Sequence, residues 1–469
     1  MITKVEHPAA KLAYHRKNVW DCLGAEERDR VMKFNEEYKD FLNQAKTERE
    51  VFEAALADLK NAGFSSVDLK TGLKPGDKVF FANRQKALIA AVIGPEPLIN
   101  GINIIGAHTD SPRLDLKPLP VFEDNGMVFF KTHYYGGIKK YQWLSIPLSL
   151  HGVVVRADGN SVAVHIGEES GDPIFTITDL LPHLAKDQID KKMADAVPGE
   201  SLNILAGGIP LAGEELKDRF KMTVLEYLHR RYAMVEEDFI SAELELVPAW
   251  PARDIGLDLS FVGAYGQDDR VCAYAALRAL IDGPVPKRTA MMVLADKEEI
   301  GSSGNTGMKA AFFKNAVREI AARTTSPYNE LVLSKALSNS LALSADVNVG
   351  LDPNYPDVTE KMNTAWLGYG VVLTKYTGNK GKYESSDAHA EVVAQVRRVF
   401  HNAGVIWQSG ELGKVDQGGG GTIAHLVAKH GVDVLDCGVA LLGMHSPFEV
   451  ASKADIYMSY QAYKAFFTR

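Results

Sequence analysis

The chain has 469 residues, 46% of them hydrophobic and 24% charged, which is the composition of a globular protein with at least two domains. Its formal net charge of −8 argues against nucleic acid or an anionic membrane as a partner, and no apolar run approaches the roughly 18 residues of a membrane span. Residues 1–20 lack the apolar core of a secretory signal, and three widely separated cysteines (Cys22, Cys272 and Cys437) indicate reduced thiols, so we expect a cytoplasmic protein.

The first part of the chain predicts helices followed by strands. Residues 25–62 have a helical pattern, within which Thr47 and Glu50 form a capping box before an apolar stripe. Three apolar runs then predict strands: Lys78–Ala82, Ala87–Ile93 and Ile102–Gly106. The third of these runs leads directly into His108 and Asp110, so metal-capable side chains follow the end of a strand.

From about Leu116 to Trp250 the pattern changes. Short β-like runs occur at Met127–His133, Leu148–Arg156, Val162–Ile166 and Ile174–Thr178. An amphipathic helix is predicted near Glu214–Ala233, and a half-buried alternation at Ala242–Leu246 predicts a closing strand. We therefore predict that a β-rich domain of residues 116–251 interrupts an α/β domain made of residues 1–115 and 252–469.

The α/β pattern resumes at Leu257 and predicts a mixed, mostly parallel sheet flanked by helices. The remaining strands and helices are predicted at Val271–Ile281, Ala290–Ala295, Leu341–Ala345, Ala388–Ala403, Val405–Gln408, Val432–Leu442 and Ala454–Phe467. Among them, Ala290–Ala295 is a short, wholly apolar run typical of a strand buried in a covered sheet.

Acidic and imidazole side chains follow the strand ends or open the Val271 helix: His108, Asp268, Glu298, Glu299, Asp346 and His445. Each alone has an ordinary explanation, such as a loop histidine, a helix cap or a turn residue. Together they are harder to dismiss, because the carboxyl ends of parallel strands lie at one edge of a sheet, where ligands bind. We therefore predict that these side chains converge on one site.

This set of side chains suits two borderline metal ions, Zn²⁺ in the first place with Co²⁺ or Mn²⁺ as alternatives. One carboxylate would bridge the ions, and one imidazole and one carboxylate would complete each. Asp110 is placed to accept the second N–H of His108. One carboxylate of the Glu298–Glu299 pair is then left over to move a proton between a water and a leaving amine. The chemistry predicted is hydrolysis of an amide bond.

The motifs HTDSPRLDLKP, YGG at Tyr135–Gly137, DKEEIGS, SADVNVGLDPNY and GMHSPFE resemble the aspartyl aminopeptidase and vacuolar aminopeptidase I family of dizinc metallopeptidases, as a prokaryotic-type member. The resemblance extends over nearly the whole chain. It implies a dizinc exopeptidase fold, aminopeptidase activity on peptides and a tetrahedral homododecamer. The inserted domain would then build subunit contacts and help to roof the active site.

The resemblance also implies residue roles. His108 and Asp346 would hold one zinc, Glu299 and His445 the other, and Asp268 would bridge. Glu298 would be the general base and Asp110 the residue that orients His108. Three further residues are candidates for the substrate pocket: His183, as a histidine lent to a neighbouring subunit, Lys375, as a partner for an acidic side chain, and Gly420, where substrate could approach the backbone.

Some segments depart from the eukaryotic members of that family. Asp269 and Arg270 follow the bridging aspartate, and the segments Gly378–Ser386 and Asp416–Thr422 also differ. Because these segments border the expected pocket, the preference for an acidic or a neutral first residue stays open. The alternatives are another dizinc exopeptidase or deacylase on the same scaffold and a catalytically silent oligomeric scaffold.

Overall fold

The structure is a computed structural model that describes residues 12–213 and 215–469. Its strands in chain order are β1 (Ser65–Ser66), β2 (Lys78–Asn83), β3 (Ala87–Val92), β4 (Asn103–His108), β5 (Arg113–Asp124), β6 (Met127–Tyr135), β7 (Leu148–Val155), β8 (Ser161–Ile166), β9 (Ile204–Gly207), β10 (Ala242–Pro248), β11 (Arg253–Ile255), β12 (Phe261–Ala264), β13 (Ala290–Ala295), β14 (Leu341–Ser344), β15 (Asn348–Val349), β16 (Val371–Thr374), β17 (Trp407–Ser409), β18 (Asp433–Gly438), β19 (Ala440–Leu442) and β20 (Glu449–Ser452).

The α-helices of these residues, also in chain order, are α1 (Val19–Cys22), α2 (Ala25–Gln44), α3 (Glu48–Asn61), α4 (Lys186–Ile189), α5 (Met193–Ala196), α6 (Arg219–Tyr232), α7 (Gln267–Ile281), α8 (Phe312–Thr324), α9 (Glu330–Ser338), α10 (Ala390–Asn402), α11 (Ala424–Ala428) and α12 (Lys453–Phe467). Over residues 12–213 and 215–469, none of the helices is both long and apolar enough to cross a bilayer.

A nine-stranded mixed sheet in the order β1-β2-β3-β13-β4-β14-β18-β16-β17 forms the α/β part. Its four central strands, β13, β4, β14 and β18, run parallel to one another, and the antiparallel strands β3 and β16 flank them. The predicted mixed, mostly parallel sheet is therefore confirmed. The carboxyl ends of the four central strands lie at one edge.

Helices cover both faces of this sheet. Met292 and Leu294 of β13 pack into an apolar cluster with α2, α3, α7, α10 and α12. Met291 and Val293 pack into a second cluster with α8, α9 and α11. Successive side chains of a strand point to opposite faces, so an uninterrupted apolar run is what a doubly covered strand requires.

A second, antiparallel sheet has the order β8-β7-β10-β5-β6-β9 and uses residues between 113 and 248. Its apolar face packs on α6, which begins at Arg219 rather than near Glu214; residue 214 and residues 1–11 lie outside the described residues. The β-like run predicted at Ile174–Thr178 forms isolated bridges to Leu148 and Leu205 rather than a strand. The long strand β5 was not predicted, and the domain boundaries at 116 and 251 stay a prediction.

A third sheet, β11-β12-β20-β19-β15, adjoins the carboxyl edge of the first sheet and was not predicted. Its strands flank the predicted ligands in the chain: β12 precedes Asp268, β15 follows Asp346, and β19 and β20 enclose His445. The short pairings of this sheet therefore fix the loops that carry three of the predicted ligands.

The predicted helical stretch 25–62 divides into α2 and α3. Thr47 caps α3: its side chain accepts the Glu50 N–H at 3.4 Å, and Glu50 Oε2 accepts the Thr47 N–H at 2.9 Å. The predicted capping box is confirmed, and it explains why a new helix begins at this point.

A buried ion-pair cluster joins α3 to both large sheets. The Glu48 carboxylate, whose side chain is 0% exposed, lies 3.1 Å from Arg113 of β5 and 2.9 Å from Lys86 of the β2–β3 turn. Burial by itself would raise the pKa of Glu48, but Arg113 and Lys86 outweigh it and lower the pKa from its ordinary 4.5 to about 2. Glu48 is therefore ionised and paired at neutral pH.

We expect Glu48→Gln to lower the free energy of unfolding by about 3–5 kcal/mol at pH 7, because it leaves buried cations partly unpaired. The pKa of Glu48 is lower in the folded state, so its stabilisation is present above pH 4.5 and is lost as the pH falls from 4.5 towards 2. The difference from wild type should shrink over that interval. Urea unfolding at pH 7 and pH 3 measures it, with the exposed Glu53→Gln on the same helix as control. Equal midpoints for both variants at pH 7 would contradict this role of Glu48.

Candidate metal centre

The ends of the parallel strands bring the predicted ligands together. His108 is the last residue of β4, Glu298 and Glu299 follow β13, and Asp346 follows β14. Asp268 enters from the start of α7 and His445 from the turn between β19 and β20. These six residues line one cavity of about 410 Å³. The structure therefore brings these six predicted side chains together in one cavity.

Asp268 lies between the two imidazoles. Its Oδ1 is 3.1 Å from His108 Nε2, and its Oδ2 is 3.2 Å from His445 Nε2. Each carboxylate oxygen thus faces a different histidine.

The remaining two carboxylates divide between the histidines. Asp346 Oδ1 lies 3.8 Å from His108 Nε2, and Glu299 Oε1 lies 3.3 Å from His445 Nε2. Asp268 Oδ1 and Glu299 Oε1 are buried without a hydrogen-bond partner among the described residues. A buried carboxylate oxygen is costly unless a hydrogen bond or a cation compensates it. The donor set and these two oxygens therefore fit bound metal ions.

Backbone carbonyls orient both imidazoles. His108 Nδ1 lies 3.0 Å from the carbonyl of Asp110, and His445 Nδ1 lies 3.0 Å from the carbonyl of Gly137. With Nδ1 donating its proton to a carbonyl, Nε2 carries the lone pair and faces the cavity. The Asp110 carboxylate is farther from His108 Nδ1, at 3.5 Å. The contact that orients His108 most directly is thus the main chain of Asp110.

The Asp110 carboxylate instead holds the acidic turn. Its Oδ1 accepts the N–H of Glu298 at 3.0 Å, and its Oδ2 accepts the N–H of Glu299 at 3.1 Å. Tyr135 donates its hydroxyl to the same Oδ2 at 2.8 Å. Asp110 therefore fixes where both glutamates leave the main chain.

Asp269 lies beside the bridging position and forms an alternative group with His108 and Asp346. However, Asp269 is 0% exposed, its Oδ2 accepts the backbone N–H of His108 at 3.3 Å, and it does not line the cavity. Asp268 lines the cavity and contacts both imidazoles, so the geometry favours Asp268.

Glu449 is a positioning residue to which the sequence analysis gave no role. Its Oε2 accepts the backbone N–H of Asp268 at 3.0 Å, and its Oε1 accepts that of His445 at 2.7 Å. Burial first, and then the nearby Asp268, raise the pKa of Glu449 to about 8. One buried side chain thus links the backbones of the central carboxylate and one imidazole. The available sequence signal was its position four residues after His445.

The charges at the site influence one another strongly. Burial by itself would lower the pKa of His108, but Asp110, Asp268 and Asp346 outweigh it and raise the pKa. Burial raises the pKa of Glu298 to about 8, with a further contribution from nearby carboxylates. The carboxylates in this cavity repel one another unless protons or bound cations offset their charge.

The three predicted pocket residues have different locations. Gly420 lines the cavity. Lys375 is outside the lining, with its Nζ 3.0 Å from Asp387 Oδ1, and His183 lies exposed in the turn Pro182–Leu184. The lining also includes Glu384 and Thr422, which belong to the two segments expected to border the pocket, and the polar residues Lys309 and His425, which the sequence did not single out.

Comparison with known proteins gives consistent matches over the chain. The family model of the aminopeptidase I zinc metalloproteases (M18) matches residues 41–467. A probable M18 family aminopeptidase 1 of Clostridium acetobutylicum is 49% identical over 454 residues, which are 96% of this chain and 97% of that protein. These matches span both large sheets.

Solved structures also match over nearly the whole chain. The crystal structure of an M18 family aminopeptidase from Thermotoga maritima has a TM-score of 0.93 at 49% identity and covers 97% of this chain and 99% of that chain. The structure of the mApe1 dodecamer of S. cerevisiae has a TM-score of 0.74 at 22% identity, covering 92% and 95%. At that identity the second likeness is one of fold.

Proposed function

This chain belongs to the aminopeptidase I zinc metalloprotease family, M18, and is a zinc-dependent aminopeptidase; from this premise we propose that it works with two zinc ions and with Glu298 as general base. The observation that carries the proposal is the position of Asp268, with one oxygen on each imidazole. Five carboxylates and one lysine line the cavity, so the lining has a surplus of negative charge that divalent cations would offset.

In this proposal His108 and Asp346 hold one ion, Glu299 and His445 hold the other, and Asp268 bridges. The nitrogen and oxygen donors suit Zn²⁺, and also Co²⁺ or Mn²⁺. The chemistry that bound ions would supply is polarisation of the scissile carbonyl and a more nucleophilic water at neutral pH. The assignment leaves Glu298 as the one carboxylate of the acidic turn that is free of a metal.

Glu298 then acts on protons. Its main-chain N–H is fixed by Asp110, so its side chain starts from a defined point at the cavity wall. It takes a proton from the attacking water and gives it to the leaving amine of the peptide. Burial and the nearby carboxylates raise the pKa of Glu298, and the positive charge of bound metal ions would lower it again, which would favour the ionised form that accepts the proton of water.

We expect aminoacyl-arylamides to be hydrolysed only with metal present. A panel with Asp, Glu, Leu, Met, Lys and Ala as the first residue, assayed with chelator and after return of Zn²⁺ or Co²⁺, measures both metal dependence and the ranking of acidic against neutral residues. N-acetylated amino acids are the matched control for a deacylase. Cleavage of the acetylated compounds alone would favour the deacylase. No cleavage by the metal-loaded protein would favour a silent scaffold.

We further infer the organisation around this site. Residues 116–251 form an inserted domain that makes subunit contacts in a cytoplasmic, tetrahedral homododecamer, and His183 in its exposed turn reaches a neighbour's active site. The long antiparallel sheet, the exposure of that turn and the dodecamer described for mApe1 support this. Light scattering at micromolar protein tests the assembly, and a monomer would contradict it.

A further inference from the structure

A second group of metal-binding side chains lies where α3 meets the six-stranded sheet, outside the cavity of the metal centre. We propose that Glu50, His151 and His165 form an accessory site for a divalent transition-metal ion, with Zn²⁺ the best match. This site would join the first helical layer to the predicted inserted domain. It is independent of the role of Glu298 and of the number of ions at the catalytic centre.

The two histidines are paired across neighbouring strands. His151 of β7 and His165 of β8 are directly opposite in the antiparallel register, so their side chains leave the same face. Their ring centroids are 5.4 Å apart. The position therefore presents two imidazoles side by side towards α3.

Glu50 completes the group from the first turn of α3. Its Oε1 lies 2.7 Å from His151 Nδ1 and 3.1 Å from His165 Nδ1. The three ligand atoms all lie within 4.8 Å of one another. Bonds of about 2.0–2.1 Å to a tetrahedral Zn²⁺ place ligand atoms roughly 3.3 Å apart. Glu50 Oε1 would have to move away from His151 Nδ1 by about 0.6 Å, and from His165 Nδ1 by less, to reach that separation.

A shell of hydrogen bonds already aims these ligands. His151 Nε2 lies 2.9 Å from Glu168 Oε1, so Nε2–H can donate to a carboxylate while Nδ1 keeps its lone pair. A carboxylate behind a histidine is the usual support of a metal-bound imidazole. Lys46 Nζ, 2.7 Å from the same oxygen of Glu168, fixes that carboxylate in turn.

Glu50 is oriented by its second oxygen. Its Oε2 accepts the backbone N–H of Lys46 at 2.8 Å and that of Thr47 at 2.9 Å, as the capping box requires. This leaves Oε1 directed at the two histidines. The side chain of Glu50 is 11% exposed and that of His151 3%, whereas that of His165 is 52% exposed. The site is thus preformed inside and open on one side, where water can enter as a fourth ligand.

The charge of the group also suits a cation. The carboxylates of Glu50 and Glu168 outweigh the one ammonium of Lys46, so with neutral imidazoles the group carries one net negative charge. The rival explanation is a protonated His151 that bridges Glu50 and Glu168 as an ion pair. The ion pair predicts no zinc at this position, whereas the proposed site predicts one zinc that His165 helps to hold.

Zinc stoichiometry distinguishes them. Full-length protein is stripped with chelator, reloaded with ZnCl₂, passed through a desalting column and assayed for zinc per chain. We expect His165→Gln to bind one zinc per chain fewer than wild type, with arylamide turnover unchanged. His133→Gln, an exposed histidine on β6 of the same sheet, is the matched control and should keep the wild-type content. Equal zinc in His165→Gln and wild type would overturn the proposal.

A measurement on the wild-type protein makes the test independent of the variant. Crystals soaked in ZnCl₂ should show an anomalous difference peak at the zinc edge among Glu50, His151 and His165. Absence of that peak beside clear peaks at the catalytic centre would overturn the proposal and leave the His151 ion pair as the explanation. Absence at the catalytic centre alone would instead contradict the proposed function.

Discussion

Replacement of Glu298 by Gln should lower kcat by about 10²- to 10⁴-fold, the usual contribution of a general acid–base group, and leave the zinc content unchanged. The amide keeps the size of the side chain but cannot accept a proton from water at neutral pH. KM should change little, because the substrate's first residue and the ligand set are untouched. Steady-state kinetics on the best arylamide, together with zinc per chain, measures both halves of the prediction.

The expectation depends on the geometry of the acidic turn. Glu299 faces His445 at 3.3 Å, whereas Glu298 makes no ion-pair contact with His108 or His445 among the described residues. The main chain of both residues is held by one side chain, since Asp110 accepts both of their backbone N–H groups. Two neighbouring glutamates held by the same carboxylate can therefore have different roles, Glu299 as a proposed metal ligand and Glu298 as the proposed general base.

Glu384→Gln is the matched control, because Glu384 lines the same cavity and the substitution removes the same charge. Glu384→Gln should leave kcat close to the wild-type value. If Glu298→Gln retained wild-type turnover, the assignment of the base would be wrong. If it lost zinc as well as turnover, Glu298 would be a ligand rather than a base.

The candidate metal centre could be assembled from the sequence because its parts follow strand ends. An apolar run such as Ala290–Ala295 shows both that a strand is doubly covered and where it stops. The side chains immediately after such runs share an edge by topology alone. His108, Glu299 and Asp346 were found in this way, and their convergence required no knowledge of long-range pairing.

Residues that act through the backbone gave no such signal. Glu449 fixes Asp268 and His445 through their N–H groups, and Asp110 fixes the acidic turn in the same way. Which backbone donor a carboxylate meets depends on how the third sheet packs against the first. The strands of that sheet are only two to four residues long, so their patterns are too short to detect.

The six-stranded sheet was predicted less well because its pattern hides buried charge. The alternation at Ala242–Leu246 predicts glutamates on a solvated face, yet Glu245 is buried and lies 3.1 Å from Arg113. Arg113 in turn begins the strand β5, which was not predicted from the sequence. A charged residue in a sequence normally argues against a buried strand. Here Arg113, the ion-pair partner that allows Glu245 to be buried, lies more than a hundred residues away in the chain.

Replacement of Asp268 by Ala should remove two zinc ions per chain, because one side chain serves both. We expect the affinity for each ion to fall by more than the roughly 10- to 100-fold that loss of an outer-shell partner costs, and turnover to fall to background. Zinc per chain after desalting, measured against wild type, gives the result. Circular dichroism against chelator-stripped wild type shows whether the fold is kept.

The reason lies in the two contacts of Asp268. Its oxygens lie 3.1 Å from His108 Nε2 and 3.2 Å from His445 Nε2, so its removal leaves each remaining pair with one imidazole and one carboxylate. Two donors are too few for stable Zn²⁺ binding, which normally uses at least three protein ligands. A residue serving a single ion would leave the other in place, so a loss of only one zinc would contradict the bridge.

The adjacent Asp269 provides the sharpest control, since it belongs to the alternative group with His108 and Asp346. Asp269→Asn keeps an oxygen that can accept the His108 backbone N–H, the contact seen at 3.3 Å. If Asp268 is the bridge, Asp269→Asn should retain its zinc. If Asp269 is the ligand, this variant should lose zinc and Asp268→Ala should keep an ion on His108. Because the two residues are neighbours with the same functional group and similar burial, a difference between their variants would reflect which carboxyl group faces the cavity.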